Sequence, residues 1–173
     1  MSKKLIIKEK LIWFALAMFL LAGIGSCKKE EDPADQRLIN KENKEAGEQF
    51  LEENKANEGV HQTSSGLQYK VEAAGTGLRP VEEDSVNITY TGRLIDETEF
   101  TSATEDVLPI KQIAGFQEGV LLMNEGAKYT LYIPYYLAYG SSAQSTTYNG
   151  KTVVIQPYSV LIFEITLNRV TKN

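Results

Sequence analysis

Few residues in this chain could do bond-making chemistry. It has one histidine, His61, and one cysteine, Cys27. Neither has a second histidine or cysteine at metal-ligand spacing, so zinc chemistry and cysteine–histidine nucleophilic catalysis lack a donor set. What the chain offers instead is aromatic surface. In Ser85–Ser102, SVNITYTGRLIDETEFTS, apolar and polar residues alternate as in a half-buried strand. Asp96-Glu97-Thr98 then reads as a turn, flanked by Tyr90 and Phe100. Rings so placed either fill a core or line a cleft. The phenol oxygens of Tyr90 and Tyr139 need partners if buried, which suits a pocket wall better than a packed centre.

The elements that must hold these rings are short. Leu67–Glu72, the alternating set Val86, Ile88 and Tyr90, Lys128–Ile133 and Val160–Leu167 all read as strands. In the last of them Leu161, Phe163, Ile165 and Leu167 share one face. Between the second and third lies IAGFQEGVLLMNEGA, room for about two helical turns that stack Phe116 on Val120 before Asn124-Glu125-Gly126 stops the helix. One short helix among antiparallel strands predicts an α+β domain with the helix on the concave face of the sheet. Upstream, Leu38 to about Lys55 carries Ala46, Phe50 and Leu51 at near-helical spacing. That stripe is too thin for an autonomous helix and predicts docking on the following domain or on a partner. Glu30–Gln36 reads as a flexible spacer and His61 as a solvated linker residue.

The N-terminus reads as an address. Four lysines precede the run LIWFALAMFLLAGIG, the build of a secretory signal peptide over residues 1–26. The run is shorter than the ~20 residues a bilayer-spanning helix requires. Ile24-Gly25-Ser26-Cys27 resembles the lipobox of bacterial lipoproteins, which implies diacylation of Cys27 and a membrane anchor at the cell envelope, in the outer membrane facing periplasm or cell surface. Lys28–Asp32 resembles the acidic export tag of bacterial surface lipoproteins. The full chain carries a formal charge of -5, and without residues 1–26 it holds 14 basic against 22 acidic residues. An acidic chain with no basic cluster is a poor ligand for nucleic acid.

The motifs, taken in order, resemble the FKBP-type peptidyl-prolyl cis-trans isomerases. They are Gly66-Leu-Gln-Tyr-Lys70, Gly75-Thr-Gly77 with Pro80, Asn87-Ile-Thr-Tyr-Thr-Gly92, Phe100, Ile113-Ala-Gly-Phe-Gln-Glu-Gly119, Tyr132-Ile-Pro134, Leu137-Ala-Tyr-Gly140 and Leu161-Ile-Phe-Glu164. The lead-in AGEQFLEENKANEGVHQTSSGLQYKV is similar to that of the bacterial macrophage-infectivity-potentiator branch. The resemblance implies an antiparallel twisted sheet wrapped around one short helix over residues 66–173, a helix and lead-in over 38–65, and a tether over 27–37. It implies isomerisation of X-Pro bonds in exported proteins without cofactor or metal, or, as the alternative, a weakly active proline-peptide-binding chaperone or assembly module. It also implies binding of macrolide inhibitors. The branch dimerises through a longer helical region than residues 28–60 provide, so dimerisation stays open.

Carried over by resemblance, Tyr90, Phe100, Phe116, Tyr139 and Phe163 line the catalytic pocket. Ile113 offers a backbone N–H to substrate, Ile155 adds an aliphatic wall, and Gln112 and Thr101 stand at the rim. Three departures follow. Thr101 stands where the family usually has aspartate, so the rim loses a carboxylate. Phe116 stands where many members have tryptophan. Residues 141–152 form a polar loop without the usual Gly/Pro-rich approach, followed by Gln156-Pro157 in place of a Pro-Pro pair. The segment before Ile113 runs short, and no pocket residue is assigned among Glu105–Leu108.

Overall fold

The computed structural model describes residues 33–173. The predicted signal peptide, the predicted lipidation site Cys27 and the first part of the predicted tether lie outside the described residues. Helix α1 spans Pro33–Asn54. It begins inside the segment read as a spacer, because Pro33 has the φ a first helical turn needs and Asp35 suits the positive end of the helix dipole. No helix among the described residues is long and apolar enough to cross a membrane.

Strands β1 (Val60–Gln62), β2 (Gln68–Ala73), β3 (Ser85–Arg93), β4 (Glu99–Val107), β5 (Lys128–Ile133) and β8 (Leu161–Thr171) form one six-stranded sheet in the order β1-β2-β5-β8-β3-β4. Its pairings are antiparallel throughout. The turn between β3 and β4 closes as the sequence suggests: the Thr98 N–H donates to Asp96 Oδ1 at 2.9 Å, and Glu97 takes φ 68°. His61 is not linker but the centre of β1, its ring 5.3 Å from Tyr69.

Helix α2 (Ala114–Leu121) lies on the concave face and buries Phe116 and Val120 against Leu131, Ile133, Leu161, Ile165 and Leu167. Each such aliphatic side chain contributes about 1.5–3 kcal/mol on burial. The helix approaches β5 closely because Gly115 and Gly119 face it. A Cβ at Gly119 would sit 2.2 Å from Leu131 Cδ1, and one at Gly115 2.4 Å from Ile133 Cγ2.

Helix α1 covers the opposite face of the sheet. Phe50 packs 6.0 Å from Tyr132, whose neighbours Leu131 and Ile133 point into the core. Docking on the domain is therefore observed, and Phe50 of the predicted stripe takes part, but Ala46 does not. Ala46 is exposed, and Gly47 is buried where the helix meets Val160. Polar residues make most of the contact. Asn54 Nδ2 donates to Gln68 Oε1 at 2.9 Å, Gln68 Nε2 donates to the Leu51 carbonyl at 2.8 Å, and Asn43 Nδ2 donates to the Pro157 carbonyl and to Ser159 Oγ. Hydrogen-bonding faces of this kind leave no apolar periodicity to read.

Candidate functional site

Register brings the rings together. In β3–β8 pairing Tyr90 stands opposite Ile165 and Gly92 opposite Phe163, so Tyr90 and Phe163 share the concave face. Phe100 enters from β4 and Phe116 from the first turn of α2. Phe163 is the hub, with edge-to-face contacts to Phe116 at 5.1 Å and Phe100 at 5.5 Å, and a tilted contact to Tyr90 at 6.1 Å. Tyr90 meets Phe116 edge-on at 5.8 Å. Such pairs add about 0.5–1.5 kcal/mol each beyond their area. Gly92 makes the convergence possible, since a Cβ there would lie 2.7 Å from Phe163 Cε1, 2.8 Å from Phe100 Cζ and 2.8 Å from Thr101 Cγ2.

The rings wall a cavity of about 250 Å³. All nine residues carried over from the family lie on it. Tyr90, Phe100, Phe116 and Phe163 come from the main sheet and α2, and Tyr139 follows the 3₁₀ turn Tyr135–Leu137. Gln112 and Ile113 precede α2, Ile155 ends the strand Lys151–Ile155, and Thr101 lies beside Phe100. The Ile113 N–H makes no hydrogen bond among the described residues, because Ile113 caps α2 with extended geometry.

Two phenols sit in this wall under different conditions. The Tyr90 hydroxyl donates to Glu105 Oε1 at 2.6 Å. Burial first, and then the Glu105 carboxylate, push its pKa up to about 12, while the Thr101 hydroxyl beside it pulls the other way. Burial also raises Tyr139, but its hydroxyl has no hydrogen-bond partner among the described residues, and the residue is 36% exposed.

Residues that the sequence reading left out of the site also bear on the cavity, and Ile88 lines it from β3. Val107 lies on it and Glu105 reaches it through Tyr90, although no residue of 105–108 was assigned. The polar loop is in large part a hairpin: β6 (Gln144–Tyr148) pairs antiparallel with β7 (Lys151–Ile155), and Gln144, Ser145 and Thr146 form one cavity wall. The signal was present in Asn149-Gly150, which takes φ 50° and 73°, the left-handed pair that a two-residue hairpin turn requires. The polar run QSTTY gave no alternation to accompany it. Tyr148 ties the hairpin to the main sheet, its hydroxyl donating to Glu99 Oε2 at 2.9 Å.

Residues 77–168 match the family described as FKBP-type peptidyl-prolyl cis-trans isomerase. The chain belongs to this family. Residues 20–71 match the domain amino terminal to FKBP-type isomerases. Among FKBP-type relatives, a probable isomerase FkpA of Neisseria meningitidis serogroup B is 42% identical over 135 residues, covering 75% of this chain and 47% of the relative. The outer membrane protein MIP of Legionella longbeachae is 38% identical over 136 residues, covering 76% of this chain and 55% of its own length. The crystal structure of FkpA from Escherichia coli superposes with a TM-score of 0.73 at 28% identity, over 99% of this chain and 74% of that one. The chain thus spans about half the length of the FkpA and MIP sequences it matches, and its fold is that of an FKBP-type domain preceded by a helix.

Proposed function

We propose that this chain is a peptidyl-prolyl cis-trans isomerase acting on exported proteins at the bacterial cell envelope. The observation that carries the reading is the ring-walled cavity with the unengaged N–H of Ile113 at its rim. Rotation about an amide faces a barrier of about 18–20 kcal/mol because the C–N bond has double-bond character. On twisting, the amide loses resonance and its carbonyl becomes less polar. An apolar cavity therefore favours the twisted form over the planar one, so binding energy is expressed in the transition state. In this scheme Tyr90, Phe100, Phe116 and Phe163 enclose the prolyl ring. The Ile113 N–H holds the substrate backbone, and the free Tyr139 hydroxyl donates to a substrate carbonyl. No nucleophile is required.

The test uses the purified full chain in a proline-limited refolding assay. Acceleration over the uncatalysed rate is expected, with inhibition by a macrolide ligand of the family and a marked loss in Tyr139→Phe. No acceleration would sink the reading. Thr101, which withholds a carboxylate from the rim, favours a second reading as a proline-peptide-binding chaperone or assembly module. Binding of proline peptides without acceleration identifies that case.

We further propose that Cys27 is lipidated and anchors the chain. The sequence of residues 24–27 and the outer-membrane name of the Legionella relative support this. Mass spectrometry of the chain from native membranes should find diacylated Cys27 at the mature N-terminus.

A further inference from the structure

We propose that Glu105 is a positioning residue of the cavity, its carboxylate holding the Tyr90 phenol and supplying the rim charge that Thr101 does not. The inference rests on the isomerase reading and deepens it. In the β3–β4 ladder Tyr90 stands opposite Ala103. Residues two apart on a strand share a face, so Thr101, Ala103 and Glu105 all stand on the face of Tyr90. Positions 101 and 105 are then the two diagonal neighbours of Tyr90, at a separation of about 7–8 Å that long side chains bridge. A carboxylate at either position can reach the phenol. In this chain the side that borders Phe100 holds a threonine, and the far side holds glutamate bonded at 2.6 Å.

The other carboxylates of β4 are engaged elsewhere. Glu99 accepts from Tyr148, and Asp106 accepts from Asn87 Nδ2 and faces Arg169 at 3.6 Å. Among the described residues no lysine or arginine pairs with Glu105, so no ion pair offsets its charge beside Tyr90. The bond does two things. It commits the Tyr90 hydrogen to Glu105, so the phenol oxygen acts only as an acceptor, with the Thr101 hydroxyl beside it. It also fixes the tilt of a ring that touches both Phe116 and Phe163. The raised pKa of Tyr90 accords with this contact.

The test compares wild type, Glu105→Gln, Glu105→Ala, Thr101→Asp and the double variant Glu105→Ala/Thr101→Asp, each as the full chain. Glu105→Ala should lower kcat/KM about threefold to tenfold, the effect of a charge-assisted bond discounted for solvent exposure, with an unchanged melting midpoint. Glu105→Gln should fall between the two, since it keeps an acceptor and loses the charge. The Tyr90 phenol, followed by NMR, should titrate at lower pH in both. Thr101→Asp should raise kcat/KM of the Glu105→Ala enzyme by a clearly larger factor than it raises that of wild type. The proposal is overturned if Glu105→Ala stays within twofold of wild type, if its loss follows a fall in melting midpoint, or if Thr101→Asp raises wild type as much as it raises Glu105→Ala. A wild-type chain without activity overturns the isomerase reading instead. The Tyr90 titration and the proline-peptide affinity of the same variants then decide the Glu105 contact by themselves.

Discussion

Gly92→Ala should separate the stability of this domain from the working of its cavity. Gly92 lies within β3 and is not among the positive-φ glycines, so its backbone accepts alanine without strain. The added methyl would meet Phe163 at 2.7 Å and Phe100 and Thr101 at 2.8 Å. To reach 3.4 Å these groups must retreat by about 0.6–0.7 Å. Overpacking of this size costs about 1–3 kcal/mol, and removing a glycine from mid-strand returns about 0.5–1 kcal/mol. The net loss is then about 0–2.5 kcal/mol, a fall in Tm of up to about 10 °C for a domain this size. The chemistry should suffer more, because the cavity is defined by these rings and a displacement near 1 Å in a positioned site costs about a hundredfold. A scaled estimate is a tenfold or larger loss in kcat/KM. Thermal unfolding and a proline-limited refolding assay on the same preparation measure both. The reasoning is refuted if kcat/KM is unchanged, since the rings then tolerate the shift. It is refuted equally if the activity lost is accounted for by the unfolded fraction.

Two further outcomes follow from other contacts. Asp84 is buried and accepts from Lys172 Nζ and the Val81 N–H, both at 2.7 Å; the Lys172 bond is the chief cause holding its carboxyl below the usual range. A depressed folded-state pKa gives stability that is fully present above the ordinary carboxylate pKa and is lost as pH falls through the lower folded value. Asp84→Asn should therefore lower the midpoint at neutral pH and flatten its decline on acidification below about pH 4, as read from denaturant melts across pH. Asn54→Ala leaves the buried Gln68 Oε1 without its donor, at a cost of about 1–3 kcal/mol. Hydrogen exchange should show α1 opening more readily while β5 and β8 keep their protection; equal loss throughout would contradict the docked-helix account.

How much could be read from the sequence follows from the kind of signal each element carries. The bounds of β5 came out as predicted because KYTLYI alternates and is bounded by turn residues on both sides. Phe116 and Val120 were legible because helical spacing puts both on one buried face. Glu105 was not, since its contact depends on which residue of β4 stands opposite Tyr90, and a shortened connection hides that register. The hairpin wall was missed because every residue of β6 is polar or aromatic-polar, leaving only a two-residue turn motif to announce it. The docked face of α1 was read only at Phe50 for a related reason: the rest of it is Asn43, Gly47 and Asn54, which no hydrophobicity pattern encodes.

The hairpin β6–β7 pairs only with itself and forms a sheet separate from the six-stranded one. One wall of the cavity is thus built by strands that carry the core, and the facing wall by a ribbon joined to β4 through Tyr148 and Glu99. Gln144, Ser145 and Thr146 thus stand on a strand that pairs with none of the strands bearing Tyr90, Phe100 and Phe163. On the isomerase reading proposed above, preference among proline peptides can be altered through this ribbon while the ring-bearing strands stay as they are.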